Sequence, residues 1–589
     1  MDKKNTVIGV LLLAAAMAAF YVSARLAPPT PPAPAQPVAT DATPASAGTT
    51  ATPGAPLPAA ALSTPTLSSA PAQFTTLRND FVQVRLTTAG GAIDSVELRK
   101  HLAVLGQPEL YTLNQPAAAP VLSFVGFPGL DANARYDLVS QTDTEVVYRT
   151  VLDHRLEVTR RYALLPGDKG DPYQIRHETT FRNLSDALLP LPRAGFSVGT
   201  AAPVNHEDMG LYLNVGLYNG DKVEFTKRSN LEGGGFLSSF GIGSKVDLPF
   251  IEQTAPVVWA SVKNQFFAMI LTPDQPGTGL RVERVKLDPR APDSDRRVYG
   301  VTGIAQFELK PLAAGESSTW GAALYAGPKE YRRLSDTDNF KHSEDLIMEF
   351  GFFGFFSKLL LTIMTWVHNT MGGASFAWGW GWAIVITTLI LKIVFVPFTI
   401  AASRSSKRMV KLMPLVTEVR EKYKDNPQKA QMAMMQIYKD HKVNPLGGCI
   451  PILITIPFFI GFFSMLQTTS ELRFAPFLWA PDLAAADTIA HVFGLPINIM
   501  PLLMGATMII QMRLTPTPTT DNAQATMMKI MPWIFTLFCY NFSCALALYS
   551  TVNGLFTIGQ QMVINRLPEP ELTKADPAGM KNVTPKKKK

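Results

Sequence analysis

The sequence predicts a polytopic α-helical membrane protein with a large β-sandwich inserted ahead of its membrane core. Three observations carry that fold class. Five apolar segments, at about 378–400, 450–469, 494–512, 529–540 and 545–565, fill the C-terminal third. Residues 74–334 instead alternate apolar and polar side chains in short runs broken by Gly, Pro, Asn and Asp, the pattern of half-buried strands. The charge is also uneven. Ten Lys/Arg stand against four Asp/Glu between Ser403 and Lys442, and the last four residues are lysine, within a net charge of +7. Basic residues gathered in short loops beside apolar spans place those loops in the cytoplasm.

At 589 residues the chain is expected to hold several domains. Its three cysteines, Cys449, Cys539 and Cys544, all lie in or beside apolar spans. The strand region therefore has no disulfide framework and no zinc-type spacing.

Residues 1–27 read as an N-terminal transmembrane signal anchor. Thr6 to Ala24 is apolar and follows Lys3 and Lys4; its length is close to the ~20 residues a helix needs to span, and longer than the usual signal-peptide core. The N-terminus then lies in the cytoplasm. Residues 28–73 are dominated by Pro, Ala, Thr and Ser with Asp41 the sole charge. Such a segment cannot bury a core and is expected to be a disordered tether.

Residues 74–342 form the sandwich. Its clearest period-two runs are Phe81 to Leu86, Glu145 to Val151, Leu156 to Tyr162 and Leu280 to Leu287. With the anchor oriented as above, this domain lies on the trans side, the periplasm of a didermic bacterium. His101, His154, His177 and His206 are scattered, and His177-Glu178 lacks the second histidine of a zinc-protease helix. They read as surface or packing residues, so no enzyme activity and no metal is expected. Residues 343–373 set Phe350, Phe352, Phe353, Phe355, Phe356, Leu359, Leu360 and Trp366 against Lys358 and His368. An amphipathic helix lying in the interface fits that mixture.

Residues 374–566 form a five-span core, and 567–589 a basic tail. The 401–449 loop is strongly basic, the 470–493 loop has only Arg473, and the 541–544 turn has no Lys or Arg. Alternation of basic and bare loops gives six spans with both termini cytoplasmic. Within the cytoplasmic hairpin, 401–445, Lys407 to Lys424 and Pro427 to His441 both carry helical periodicity. Asn426-Pro427 reads as an N-cap followed by proline at the first helical position. Met409, Met413, Met432, Met434 and Met435 supply apolar surface, suited to packing or to varied apolar partners.

Lys392 stands in the apolar run from Trp380 to Pro397. A cation at the centre of a spanning helix costs roughly 2.5–3.5 kcal/mol on insertion scales, so it either snorkels or works in a wet cavity. Counting from Trp378 at about 1.5 Å per residue puts it roughly 21 Å in, within the cytoplasmic half. Thr388, one turn earlier on the same face, adds a hydroxyl.

Several of these residues resemble one family. Asn444-Pro-Leu-Gly-Gly-Cys-Ile-Pro451 opens a span directly after a basic helical hairpin, a cation lies five residues before Pro397, and Leu546-Ala-Leu-Tyr549 runs on to Gln560-Gln561. Together they resemble the YidC-type membrane protein insertases of the YidC/Oxa/Alb family, and the order of parts matches over essentially the whole chain. The resemblance implies an insertase core behind the anchor and a galactose-mutarotase-like supersandwich. It also implies a hydrophilic groove open to the cytoplasm and to lipid. The implied function is insertion and folding of inner-membrane proteins, alone or with the Sec translocon, with no cofactor. No Gly-x-x-x-x-Gly-Lys-Ser/Thr loop is present.

The groove residues so implied are Lys392, Thr388, Gln467, Thr468, Tyr549 and Ser550. Lys392 takes the position of the family's arginine, keeping its charge without the planar five-donor fork. Phe542-Ser-Cys-Ala545 and Ser550 also depart from the family pattern, which has Phe-Pro-Ala/Ser-Gly and an aromatic residue there. Implied partners are nascent membrane proteins, Sec translocon components, the lipid bilayer, and the ribosome and targeting factors. The last two would be met by Arg404, Lys407, Arg408, Lys411, Met432, Met435 and the tail; DNA is not expected. Competing readings are a small-solute transporter or channel, or an assembly factor with a carbohydrate-binding sandwich. The former predicts several intramembrane charges and repeated spans.

Overall fold

The computed structural model describes residues 71–115, 119–165, 170–232, 247–293, 295–441, 443, 450–514 and 522–568. The expected anchor, all but the last residues of the tether, Lys442, the 444–449 part of the family motif and the tail from 569 lie outside the described residues. The chain divides into two compact units: Pro58–Thr362 with Ile460–Ala475, and Met1–Leu57 with Ile363–Phe459 and Pro476–Lys589.

Among its described residues the first unit is built on three antiparallel sheets. A nine-stranded sheet has the order Val223–Lys227, Asn214–Tyr218, Trp259–Lys263, Phe267–Pro273, Ser317–Pro328, Gln174–Asn183, Leu156–Leu164, Glu145–Leu152 and Asp137–Gln141. A five-stranded sheet runs Phe250–Gln253, Gly279–Lys286, Tyr299–Phe307, Ala194–Ala201 and Phe124–Val125. A four-stranded meander comprises Phe74–Arg78, Val82–Thr87, Ala92–Leu102 and Leu110–Leu113.

All four period-two runs fall on strands. Gln174–Asn183 shows why: Ile175, His177, Thr179 and Phe181 are buried on one face while their neighbours are half-wet. Aromatic side chains fill the space between the two larger sheets. Phe196 stacks on Trp320 with ring centroids 3.9 Å apart, and Phe307 meets the same indole edge-on at 5.0 Å.

His177 is a core residue. Its Nε2 lies 2.7 Å from Thr179 Oγ1 and its Nδ1 3.1 Å from Arg161 O. Burial and the nearby Arg160 guanidinium hold its pKa well below the ordinary histidine range. Lys263 is also buried, donating to Ile347 O at 2.6 Å and to Glu349 Oε2 at 3.0 Å. Lys227 reaches the other Glu349 oxygen at 3.2 Å. Burial pushes the Glu349 carboxyl up, but the two ammonium groups outweigh it and hold the group at about 2.

The 343–373 segment contains a helix, which begins later than 343. A 3-10 turn, Glu344–Met348, precedes helix α1, Gly354–Thr370, and left-handed Glu349 and Gly351 separate the two. Leu360, Leu361, Met364 and Val367 are buried on one side of α1, while the apolar Phe355 and Trp366 are exposed on the other.

Among the described residues six further helices follow: α2 Gly379–Lys422, α3 Pro427–Asp440, α4 Ile450–Thr468, α5 Ile499–Leu514, α6 Asn522–Phe538 and α7 Cys544–Arg566. Among the described residues, α2 is the helix long and apolar enough to cross a bilayer by length and composition. Ile456–Thr468, Ile499–Leu514 and Lys529–Phe538 are shorter apolar helices.

Two expectations need correction. The span at 378–400 and the helix at 407–424 are one continuous helix, α2, which runs through Pro397 and Pro414. Packing that buries Ala402, Leu412 and Val416 holds the helix together where proline removes a donor. The segment at 494–512 is helical only from Ile499. Leu495–Asn498 is instead a strand paired with Thr488–Val492.

The helix start read at Asn426-Pro427 took the form expected. Asn426 caps α3, its side-chain oxygen accepting from Lys429 N at 3.1 Å, with Pro427 following. The α6–α7 turn closes without the family's proline and glycine. The amides of Cys544 and Ala545, otherwise orphaned at a helix start, donate to Ala485 O at 2.7 Å and Leu483 O at 2.9 Å. Small residues permit close crossing on α7, where a Cβ on Gly554 would fall 2.6 Å from Thr507 Oγ1 of α5.

Candidate functional site

Helices α2 and α7 lie side by side and are joined by a stripe of polar contacts. Lys392 Nζ donates to Thr557 Oγ1 at 2.9 Å. Further along, Gln560 donates to Thr399, Ser403 Oγ donates to Gln561 Oε1 at 3.4 Å, and Lys407 Nζ donates to Ile564 O at 2.8 Å. Residue numbers rise together on both helices, so the two run parallel. Thr557, Gln560, Gln561 and Ile564 recur at three- and four-residue spacing, which puts them on one face of α7. Lys407 brings its cation to a carbonyl in the last turn of α7, where the helix dipole favours positive charge.

Lys392 is half-buried within an otherwise apolar stretch of α2. Its partner is a neutral hydroxyl, which in turn donates to Asn553 O at 2.7 Å. The contact orders the ammonium group without neutralising it. A cation held this way attracts anionic groups and water more strongly than one on an open surface, because the surrounding medium screens it less.

The other expected site residues separate into three groups. Tyr549 is buried with its ring 6.2 Å from Phe459, and Ser550 Oγ is enclosed without a hydrogen-bond partner among the described residues. Both precede Thr557 on α7 by about two turns and share its side of the helix. Thr388 is buried and spends its hydroxyl on Ile384 O, 2.7 Å away in its own helix. Gln467 and Thr468 fall in the sandwich unit. There Gln467 accepts a hydrogen bond from the Tyr212 hydroxyl, its carbonyl accepts one from Gln265 Nε2 at 2.8 Å, and Thr468 Oγ1 donates to Ser464 O at 2.9 Å. The last turn of α4 thus satisfies its polar groups on the sandwich and within its own helix, not on the α2–α7 stripe.

In the basic hairpin, Arg404, Arg408 and Lys411 are exposed, whereas Lys407 turns inward to α7. Helices α2 and α3 bury Leu412, Val416 and Ala430; Met432 and Met435 face outward. Sequence reasoning missed Thr399, Ser403 and Thr557. Their signal was available as hydroxyls recurring at helical spacing in line with Lys392 and Gln560.

An apolar helix of spanning length, with a lysine held between it and a parallel neighbour, and a separate aromatic-cored sandwich are the features of a membrane protein with a large β-rich domain. Residues 372–571 match the model of the family described as 60Kd inner membrane protein, and residues 75–363 match that of the YidC periplasmic domain. A protein of Methylobacillus flagellatus named membrane protein insertase YidC is 30% identical over 512 residues, 84% of either chain. One of the same name from Janthinobacterium is 38% identical over 274 residues, 46% of either chain. The chain belongs to the family of YidC-type membrane protein insertases. Among solved structures, an active YidC insertase is 15% identical, with 86% of this chain and 96% of that one covered at a TM-score of 0.33. A galactose mutarotase related enzyme from Lactobacillus acidophilus is 12% identical, with 43% and 97% covered at a TM-score of 0.31.

Proposed function

We propose that this chain, an insertase by family, moves nascent apolar segments into a bacterial inner membrane through a wet groove centred on Lys392. The observation that carries the reading is the Lys392–Thr557 contact, which orders the lysine against a neutral hydroxyl within an apolar helix. A substrate's polar flank must otherwise cross the full hydrocarbon thickness with its groups unsatisfied. A groove reaching Lys392 from the cytoplasm shortens that dry path, and the cation attracts acidic flanks. Burial of the apolar segment in lipid then drives the step without nucleotide.

Six spans with both termini cytoplasmic fit the Lys/Arg distribution. The parallel run of α2 and α7 supports the same topology, since three crossings by α4, α5 and α6 return the chain to its starting direction. The sandwich then lies in the periplasm. Exposed Arg404, Arg408 and Lys411 suit ribosomal RNA or targeting factors by phosphate attraction, and exposed Met432 and Met435 suit apolar partners. Operation beside the Sec translocon is the same chemistry at a shared lateral exit.

The test is protease protection of a small two-span substrate synthesised with proteoliposomes holding the full chain. Lys392→Arg should retain insertion above protein-free liposomes, Lys392→Ala should weaken it, and Lys392→Glu should abolish it. Equal insertion by all three variants would remove Lys392 from the mechanism. No insertion by the wild-type chain would remove autonomous action.

A further inference from the structure

Between α4 and α5 the chain forms a hairpin, Thr488–Val492 paired with Leu495–Asn498 and closed by Phe493 and Gly494. Both turn residues are left-handed, with φ 51° and 79°. That is the two-residue turn whose twist matches the strands, and Asn or Asp is the usual first residue. Phenylalanine there costs on the order of 1 kcal/mol in backbone strain. An aromatic at this position is therefore not explained by turn formation.

The hairpin's base is polar and tightly tied. Buried Asn498 donates from Nδ2 to Tyr540 O at 2.8 Å, Thr488 Oγ1 is 2.7 Å from Asn498 Oδ1, and the Tyr540 hydroxyl donates to Pro496 O at 2.7 Å. Buried Asp487 accepts from Trp479 Nε1 at 2.9 Å and from Met500 N at 2.7 Å. The tip is the opposite. Ile489, Val492 and Leu495 are exposed, Phe493 fully so, and residues 488–498 contain no Lys, Arg, Asp or Glu. A two-stranded hairpin facing water with bare apolar edges is marginally stable and prone to pairing with other chains; soluble proteins blunt such edges with charge.

The apolar surface does not stop at the hairpin. Helix α5 begins at the next residue and exposes Leu502, Leu503 and Ile510, the flank that a spanning helix turns to lipid. We infer that the hairpin tip is an interfacial lipid anchor, with Phe493, Val492 and Leu495 seated at the headgroup–acyl boundary where α5 enters the bilayer. Deeper insertion is excluded by the backbone. Both strands are edges, and each unpaired N–H or C=O costs several kcal/mol in hydrocarbon. The anchor fixes the depth of α5 and, through the Leu483 and Ala485 carbonyls bonded to its first amides, of α7. The inference needs the core to be embedded in a membrane, not its insertion activity.

The test places an environment-sensitive fluorophore at Phe493→Cys and, separately, Leu495→Cys in the full chain in proteoliposomes. Ala314→Cys, exposed on the sandwich, is the control, and the unsubstituted chain gives the background from native cysteines. A shallow lipid-borne quencher should reduce emission at 493 and 495 at least about twofold more than at 314. Quenching by aqueous iodide equal to that at 314 would overturn the anchor. Protection from both quenchers would also overturn it, in favour of docking on protein. Insertion measured on the same liposomes tests the proposed function separately.

Discussion

Arg473→Met removes a cation while keeping an unbranched stem of similar reach. Arg473 Nη1 donates to Leu102 O at 2.5 Å and Nη2 to Ala103 O at 2.8 Å, both at the end of Ala92–Leu102. Its guanidinium also lies 4.1 Å from the Phe474 ring centroid, 5.3 Å from Phe267 and 5.5 Å from Tyr111. Hydrogen bonds from a charged donor contribute about 1.5–3 kcal/mol each, and cation–π contact adds about 0.5–2 kcal/mol. Methionine recovers part of this by apolar packing and sulfur–aromatic contact. The net loss should be about 3 kcal/mol, or roughly a hundredfold in a local opening equilibrium. Hydrogen exchange on the full chain in detergent reads that opening directly. Amides in 460–475 and 92–102 should lose protection by about two orders of magnitude, while Leu156–Leu164 stays unchanged as the internal reference. Arg473→Lys, with one point charge in place of a fork, should fall between the two. Unchanged protection in both segments would refute the claim that this side chain fastens 460–475 to the sandwich.

Two further changes test other parts of the fold. Burial and the neighbouring Glu330 raise the Glu471 carboxyl from 4.5 to about 8. The folded state therefore binds more protons than the unfolded one between those values, and stability falls as pH rises through that window. Glu471→Gln should flatten the dependence and raise the melting temperature at pH 8, by at most about 5 kcal/mol of stabilisation because part of the side chain is still wet; an unaltered pH profile would exclude Glu471 as its source. On α2, a Cβ at Gly381 would strike the Phe477 ring, including atoms near its root. Gly381→Ala should thus destabilise by about 1–2 kcal/mol despite alanine's better helix propensity. Phe477→Leu in the same chain should restore part of that loss; a gain in melting temperature from Gly381→Ala alone would contradict the packing.

Much of this architecture is legible locally. Strands such as Gln174–Asn183 declare themselves because burying one face of a pleated strand forces alternation in the sequence. Asn426-Pro427 announces a helix start because a side-chain oxygen and a preset φ solve the problem of its first turn. Lys392 identifies itself because a charge in an apolar helix needs a reason.

Other features depend on what a segment meets. Hydropathy could not separate the strand at Leu495–Asn498 from the helix that follows, because an apolar hairpin and an apolar span read alike. Nor could two prolines reveal that α2 continues past them, since packing along its length decides that. Gln467 looked like a groove residue until the Tyr212 hydroxyl, 255 residues away, appeared as its partner. Thr557, 165 residues from Lys392, was one hydroxyl among many until α2 and α7 lay parallel. The sequence alone determined torsional preferences, the faces that must leave water and the position of the costly charge. Tertiary structure decided which polar group satisfies which, because that depends on where distant segments meet and not on the residues beside them.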